Sequence, residues 1–247
     1  VIDHESEPGS YADALRYPHN IRVEPYTLPI RVLVACEYSA TVRDAFRARG
    51  FDAWSCDLLP TEGDPRWHIE GDAIQVARVQ HWDLMVAHPP CTHLAVSGAR
   101  HFAAKVADGR QQEALGFVAD LFSAPIKHIA LENPVSIISS RFRKPDQTIQ
   151  PWQFGHGETK ATCLWLNNLP KLKPTNIVEG REARIHRMPP GPNRWKERSR
   201  TFAGIAAAMA EQWGDYLLNT RAPHTHSQRA EPAGAAVPNP DAAPDFS

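Results

Sequence analysis

The sequence predicts an α/β protein built on a doubly wound, mostly parallel sheet, and three observations lead there. Short, continuous apolar runs rich in β-branched residues recur along the first half of the chain, as strands buried on both faces require. Segments with helical spacing separate several of them, which gives the strand–helix–strand alternation of doubly wound folds. Polar residues stand where the runs end, at Glu37, Asp57, Cys91 and Glu132. Ligands of such sheets bind beyond the carboxyl ends of the strands, so these four residues mark one edge as the functional one.

Taken in order, residues 1–28 show no clear periodicity and are expected to be an extension that wraps the surface. "IRVLVAC" (30–36) is the first buried strand. "TVRDAFRARG" (41–50) has helical spacing and stops at Gly50, a residue suited to a helix end. "FDAWSCD" (51–57), "DLMVAHPP" (83–90) and "KHIALENP" (127–134) are further strands, the second broken by its prolines. "DGRQQEALGFVADLFSAP" (108–125) is a helix that ends at Pro125. These elements make a core over residues 29–140. After that the texture changes. "QPWQFGHGETKATCLWLNNLPKLKP" (150–174) is turn-rich, with a strand at "ATCLWL", and residues 175–200 are basic and proline-rich. "TFAGIAAAMAEQWGDYLL" opens a helix within residues 201–220, and the low-complexity tail 221–247 is expected to be disordered.

Composition bounds the function. At 247 residues with 42% hydrophobic content the chain can bury a substantial core. It holds no run of about 18 apolar residues, so no membrane span is expected, and its acidic first residues are unlike a signal peptide. The cysteines at 36, 56, 91 and 163 form no C-x-x-C pair. That argues against a zinc ribbon or a disulfide scaffold and suits reduced thiols in a cytoplasmic protein. The net charge of -1 hides an asymmetry: residues 141–200 carry 13 basic and 5 acidic side chains. Such a block suits a phosphate backbone, although a solvated loop region would look the same.

The turn "ACEYSATVRDAF" lacks G-x-G-x-x-G, which argues against a pyrophosphate cradle. Asp57 follows Glu37 by 20 residues, at a strand end where an acidic side chain can hold ribose hydroxyls, and Asp72 in "EGDAI" is a third acid. An adenosine ligand without pyrophosphate fits, though any single Asp is more often a cap or turn former. Cys91 lies in a Pro-Pro-Cys-Thr-His turn at a strand terminus, where fixed backbone and nearby N–H groups can favour a thiolate. A buried cysteine is otherwise usually inert packing. Glu132 ends the next strong strand, and Pro134 turns the chain away. A thiolate and a carboxylic acid in one cleft suit cytosine chemistry. Sulfur added to carbon 6 makes carbon 5 nucleophilic, and an acid on ring nitrogen 3 stabilises the charge.

These residues resemble the cytosine-5 DNA methyltransferase family, in particular its compact bacteriophage-type members. Pro90-Cys91 is similar to that family's Pro-Cys nucleophile motif, and "ENP" (132–134) to its Glu-Asn-Val motif with Pro134 for Val. "RTFAGIAAAMAEQW" resembles the family's last motif, and the likeness runs over residues 30–218. The resemblance implies a Rossmann-like methyltransferase fold. In it the core binds S-adenosylmethionine through Glu37, Tyr38, Asp57, Asp72 and Pro89, with Cys91 and Glu132 catalytic. It implies a small basic DNA-facing region at 141–200, with Pro90, Asn133, Lys160, Thr162, Arg184 and Arg187 toward DNA. The target base must leave the duplex; Trp152 or Trp195 would stack near the gap, while Trp165 is read as core. No metal, a monomeric state, a cytoplasmic location and a role in phage protection or restriction–modification complete the expectation.

The sequence departs from the family in three places. The first motif, usually Phe-x-Gly-x-Gly, is "ACEYSA" here, and the Gln-x-Arg-x-Arg strand is replaced by "ETKATCLWL". The segment before the last helix is short, which implies short or relaxed sequence specificity. Four rivals stand beside this reading. A zinc nucleobase deaminase would use His68-x-Glu70 and Pro90-Cys91, but Leu94 occupies the second cysteine position. An amino methyltransferase would place an aromatic residue after Pro-Pro. A catalytically inactive DNA-binding relative would keep the fold without the chemistry. A thiol protease lacks any recognisable paired histidine context.

Overall fold

The computed structural model describes residues 29–192 and 194–221, so the N-terminal extension and the tail expected to be disordered lie outside the described residues. Seven strands form one sheet in the order β3-β2-β1-β4-β5-β7-β6. They are β1 (Arg31–Ala35), β2 (Asp52–Asp57), β3 (His68–Glu70), β4 (Leu84–Ala87), β5 (His128–Pro134), β6 (Gln147–Ile149) and β7 (Thr162–Asn167). The first five run parallel. β7 runs antiparallel to both β5 and β6. The fold is therefore the expected doubly wound, mostly parallel, Rossmann-like sheet. Its topological switch lies between β1 and β4, the position where such sheets open a crevice at their carboxyl edge.

The helices are α1 (Thr41–Ala48), α2 (Ala73–Val79), α3 (Phe102–Ala107), α4 (Arg110–Phe122), α5 (Ile138–Arg141), α6 (Arg184–Arg187), α7 (Arg194–Ser199) and α8 (Ala203–Thr220). Successive side chains of a strand face opposite sides, and β1 shows the consequence. Val32 and Val34 pack with Phe46 of α1 and with Met209 and Trp213 of α8. Leu33 and Ala35 pack on the other face with Ala77 of α2 and Leu121 of α4. A third cluster joins Leu94, Leu131, Ile138 and Trp165, so Trp165 is core as expected. α8 returns over α1, and Trp213 donates its indole N–H to the Pro170 carbonyl at 2.9 Å.

The strands and long helices fall close to their predicted spans. β3 and β6, at three residues each, and α2 were not predicted. Too few residues are present in β3 and β6 to show a period. The sheet also continues past residue 140: β6 and β7 belong to it, and residues 28–221 form one compact unit. The boundary read at 140 is thus a change of composition within the sheet. No helix among the described residues is long and apolar enough to cross a membrane.

Candidate active site

Strand register assembles the site. The last parallel pair between β4 and β5 is Ala87 with Leu131, so the next residue of each strand, His88 and Glu132, come side by side. His88 Nδ1 and Glu132 Oε2 lie 2.9 Å apart, with side chains only 11% and 12% exposed. The His88 backbone N–H donates to the Ala35 carbonyl of β1 at 2.9 Å, which holds the strand end in the ladder. Asn133, buried, donates from Nδ2 to the Pro89 carbonyl at 2.9 Å and so ties the Pro89-Pro90 turn to β5. The Cys91 carbonyl accepts from Leu94 N and Ala95 N at 3.0 and 2.9 Å. Lys105 Nζ donates to the Thr92 carbonyl. Cys91 is therefore presented on a turn braced from three sides, half-buried at the sheet's carboxyl edge.

Charge follows from this packing. Burial pulls His88 toward neutrality, but the hydrogen bond and charge of Glu132, with Glu37 adding, outweigh it and raise its pKa above 6.5. Burial pushes Glu132 upward, but the bond and charge of His88, helped by Lys160, bring it below the usual 4.5. Both shifts favour the imidazolium–carboxylate form of the pair. Burial and the Glu132 charge raise the Cys91 thiol, while Lys160 and Arg198 pull it down. Cys91 rests as a thiol, and two cations stand within electrostatic reach to favour its ionisation.

The loop after β1 makes its turn without glycine. Cys36 and Ala40 both adopt left-handed backbone, with φ of 60° and 62°. Glycine reaches that region freely, whereas other residues store on the order of 1–3 kcal/mol there. Glu37 anchors the loop: its oxygens accept from Val42 N at 2.7 Å and Arg43 N at 3.1 Å, capping α1. Its carboxylate, expected to face a cofactor, is engaged by the helix instead. Tyr38 is likewise committed, its hydroxyl 3.1 Å from Ser199 Oγ of α7. Asp57 ends β2 half-buried, with one oxygen accepting from Leu59 N at 3.0 Å. Asp72 lies two residues beyond β3 and caps α2 by accepting from Ile74 N at 2.7 Å. Burial first, and then the charges of Asp57 and Asp72, push up the thiols of Cys36 and Cys56 at the ends of β1 and β2. Pro89 is buried and Pro90 exposed in the adjoining turn.

The expected DNA-facing residues divide. Lys160 sits at the site, its Nζ donating to the Arg200 carbonyl at 3.1 Å while its charge acts on Cys91, His88 and Glu132. Thr162 is buried in β7, its hydroxyl donating to the Lys160 backbone carbonyl at 3.1 Å, which turns that donor inward. Arg184 pairs with Glu158 at 3.0 Å. Arg143 pairs with Asp146 at 2.6 Å, and Glu62 draws in Lys196 and Arg200. Part of the basic block is thus spent internally. Among the described residues no ion pair reaches Arg141, Lys144, Arg187 or Arg198. Trp195 is 50% exposed and leans on Tyr38 with ring centroids 5.7 Å apart. Arg181 covers Trp152 at 3.9 Å.

The deaminase set does not come together. His68 is on β3, separated from β4 by β2 and β1. Its ring nitrogens lie 2.8 Å from Ser55 Oγ and 2.9 Å from the Leu59 carbonyl. A cavity of about 240 Å³ lined by Trp82, Lys127 and His128 lies at the opposite edge of the sheet, away from Cys91. Sequence reasoning missed two site residues, His88 and Arg198. The signal for His88 was present, since aligning the two strands at their prolines would have set it against Glu132.

No family model matches the sequence, and no curated protein matches it. Among solved structures the chain is similar to a prophage-encoded E. coli protein named as a candidate DNA modification methyltransferase. The identity is 12% and the TM-score 0.42, over 61% of this chain and 52% of the other. The chain thus spans about half the length of that neighbour, and a likeness this distant carries no argument about activity.

Proposed function

We propose that this protein transfers a methyl group from S-adenosylmethionine to carbon 5 of cytosine in DNA, through a covalent Cys91 adduct. The observation that carries the reading is the junction of β4 and β5. A braced, half-buried cysteine and a buried carboxyl share one end of the sheet, with Lys160 and Arg198 acting on the thiol. The cofactor side supports it. A strained, glycine-free turn follows β1 at the topological switch, and the half-buried Asp57 carboxylate ends β2, an acceptor suited to ribose hydroxyls. Asp57 and Asp72 would hold the cofactor, with Pro89 lining its boundary with the base. When bound, S-adenosylmethionine supplies an electrophilic methyl group.

The chain's own residues do the rest. Cys91 loses its proton to solvent under the pull of Lys160 and Arg198, and its sulfur bonds carbon 6. The carbon 5–carbon 6 pair moves to carbon 4–carbon 5, and the carbon 4–nitrogen 3 pair settles on nitrogen 3, which takes a proton from the Glu132 side. Carbon 5 is then nucleophilic. Asn133 and Pro90 keep the turn in place, and the cations Arg187 and Arg198 would meet phosphates around the extruded base. DNA containing 5-fluorocytosine tests the proposal, because fluorine cannot leave as a proton does. The wild-type protein with cofactor should become covalently attached, and Cys91→Ala should neither attach nor methylate. Full methylation by Cys91→Ala would end the covalent reading. Absence of cofactor binding by calorimetry would instead favour a DNA-binding relative without activity.

A further inference from the structure

We propose that His88 is a positioning residue that holds the Glu132 carboxyl for the base and supplies the proton that the Glu132 side delivers. The inference rests on the methyl-transfer reading and adds to it a residue outside the motifs that carried the resemblance.

Three observations support it. The Ala87–Leu131 register forces His88 against Glu132. The 2.9 Å bond joins two side chains that solvent barely reaches. The second ring nitrogen, Nε2, is buried with no partner among the described residues, so the imidazole is held through Nδ1 and Glu132. The groups acting on His88 come from every neighbouring element: Glu132 on β5, Glu37 after β1, and Lys160 before β7. Two carboxylates against one lysine favour imidazolium.

The proton balance follows. At rest His88 carries the proton and Glu132 is a carboxylate. As sulfur bonds carbon 6, ring nitrogen 3 gains an electron pair and takes the pair's single shared proton by way of Glu132. Neutral His88 and the Glu132 carboxylate remain. Once carbon 5 carries the methyl group, its hydrogen leaves as a proton to solvent. The electron pair it leaves re-forms the carbon 5–carbon 6 double bond as the carbon 6–sulfur bond breaks. Cys91 leaves as thiolate, and nitrogen 3 returns its proton to the pair. No other acid is needed.

The test is the pH dependence of single-turnover methyl transfer for the wild type, His88→Asn and His88→Ala. The wild-type rate should stop rising once pH exceeds the His88 value, because loss of that proton then offsets the growing Cys91 thiolate. It should fall about tenfold per pH unit only once Cys91 is ionised as well. Asparagine can donate where Nδ1 stands but carries no titrating proton. His88→Asn should lose that falling limb and be slower by on the order of 10² at neutral pH, with His88→Ala slower still. A His88→Asn profile that keeps the wild-type limb would overturn the proposal. Imidazole titration by NMR in the unaltered protein is independent of how any variant folds. His88 should titrate above 6.5 and drop in Glu132→Gln, and a wild-type value at or below 6.5 would also overturn it. Neither result touches covalent capture by Cys91, so the two proposals fail separately.

Discussion

Glu132→Gln removes one charge from the buried pair and leaves shape almost unchanged. A hydrogen bond between charged groups contributes about 1.5–3 kcal/mol, a neutral one about 1 kcal/mol. The side chains are 11% and 12% exposed, so water does not replace the lost interaction. Glutamine can still accept from Nδ1, so the expected net loss of stability is about 1–2 kcal/mol where His88 is charged. The sign with pH follows from the two shifts. His88 is raised above 6.5, so its contribution is full below 6.5 and fades as pH rises through its folded value. Glu132 is lowered below 4.5, so its contribution is full above 4.5 and fades as pH falls through its folded value. The pair therefore stabilises most between 4.5 and 6.5. Urea unfolding of wild type and variant at about pH 6 and about pH 9 should show the larger difference at the lower pH. Methyl transfer by the variant should slow by a factor on the order of 10²–10⁴. An equal stability loss at both pH values would refute the ion pair, and an unchanged rate would remove Glu132 from the chemistry.

Asp57→Ala should weaken S-adenosylmethionine binding by about 10- to 100-fold, the equivalent of one charged hydrogen bond; unchanged affinity in calorimetry would take Asp57 out of the site. Replacing both Arg187 and Arg198 with Glu should weaken DNA binding and reduce the slope of log affinity against log salt by about 1 for each phosphate that is no longer neutralised. A slope equal to wild type would show that this surface faces elsewhere. Gly204→Ala should lower the melting temperature, since an added Cβ would lie 1.9 Å from the Phe154 carbonyl oxygen and overpacking costs about 1–3 kcal/mol or more. An unaltered melting curve would contradict that close approach. Cys56 is buried with its thiol pushed up to about 12, so it should resist alkylation of the native protein at neutral pH. Rapid labelling of Cys56, read by mass spectrometry, would contradict its burial.

The strands and long helices were legible in the sequence, because burial on both faces of a parallel sheet writes itself as runs such as "IRVLVAC" and "KHIALENP". The edge that carries the candidate site was legible too, since polar residues break those apolar runs at Glu37, Asp57, Cys91 and Glu132. Cys91 and Glu132 stood out for that reason. What each polar group is bonded to was settled only by folding. Glu37 looked like Asp57 in one dimension, yet α1 begins four residues later and its open N–H groups take the Glu37 carboxylate. Arg184 and Arg143 looked like free cations until folding set them beside Glu158 and Asp146. His88 could be found in the sequence only by aligning two strands at their prolines, because its meaning depends on strand register across 44 residues. Hydrophobic pattern is a local property and survives in the sequence. Pairing between strand ends is set by which residues the ladder brings level, and that exists only once the sheet has formed.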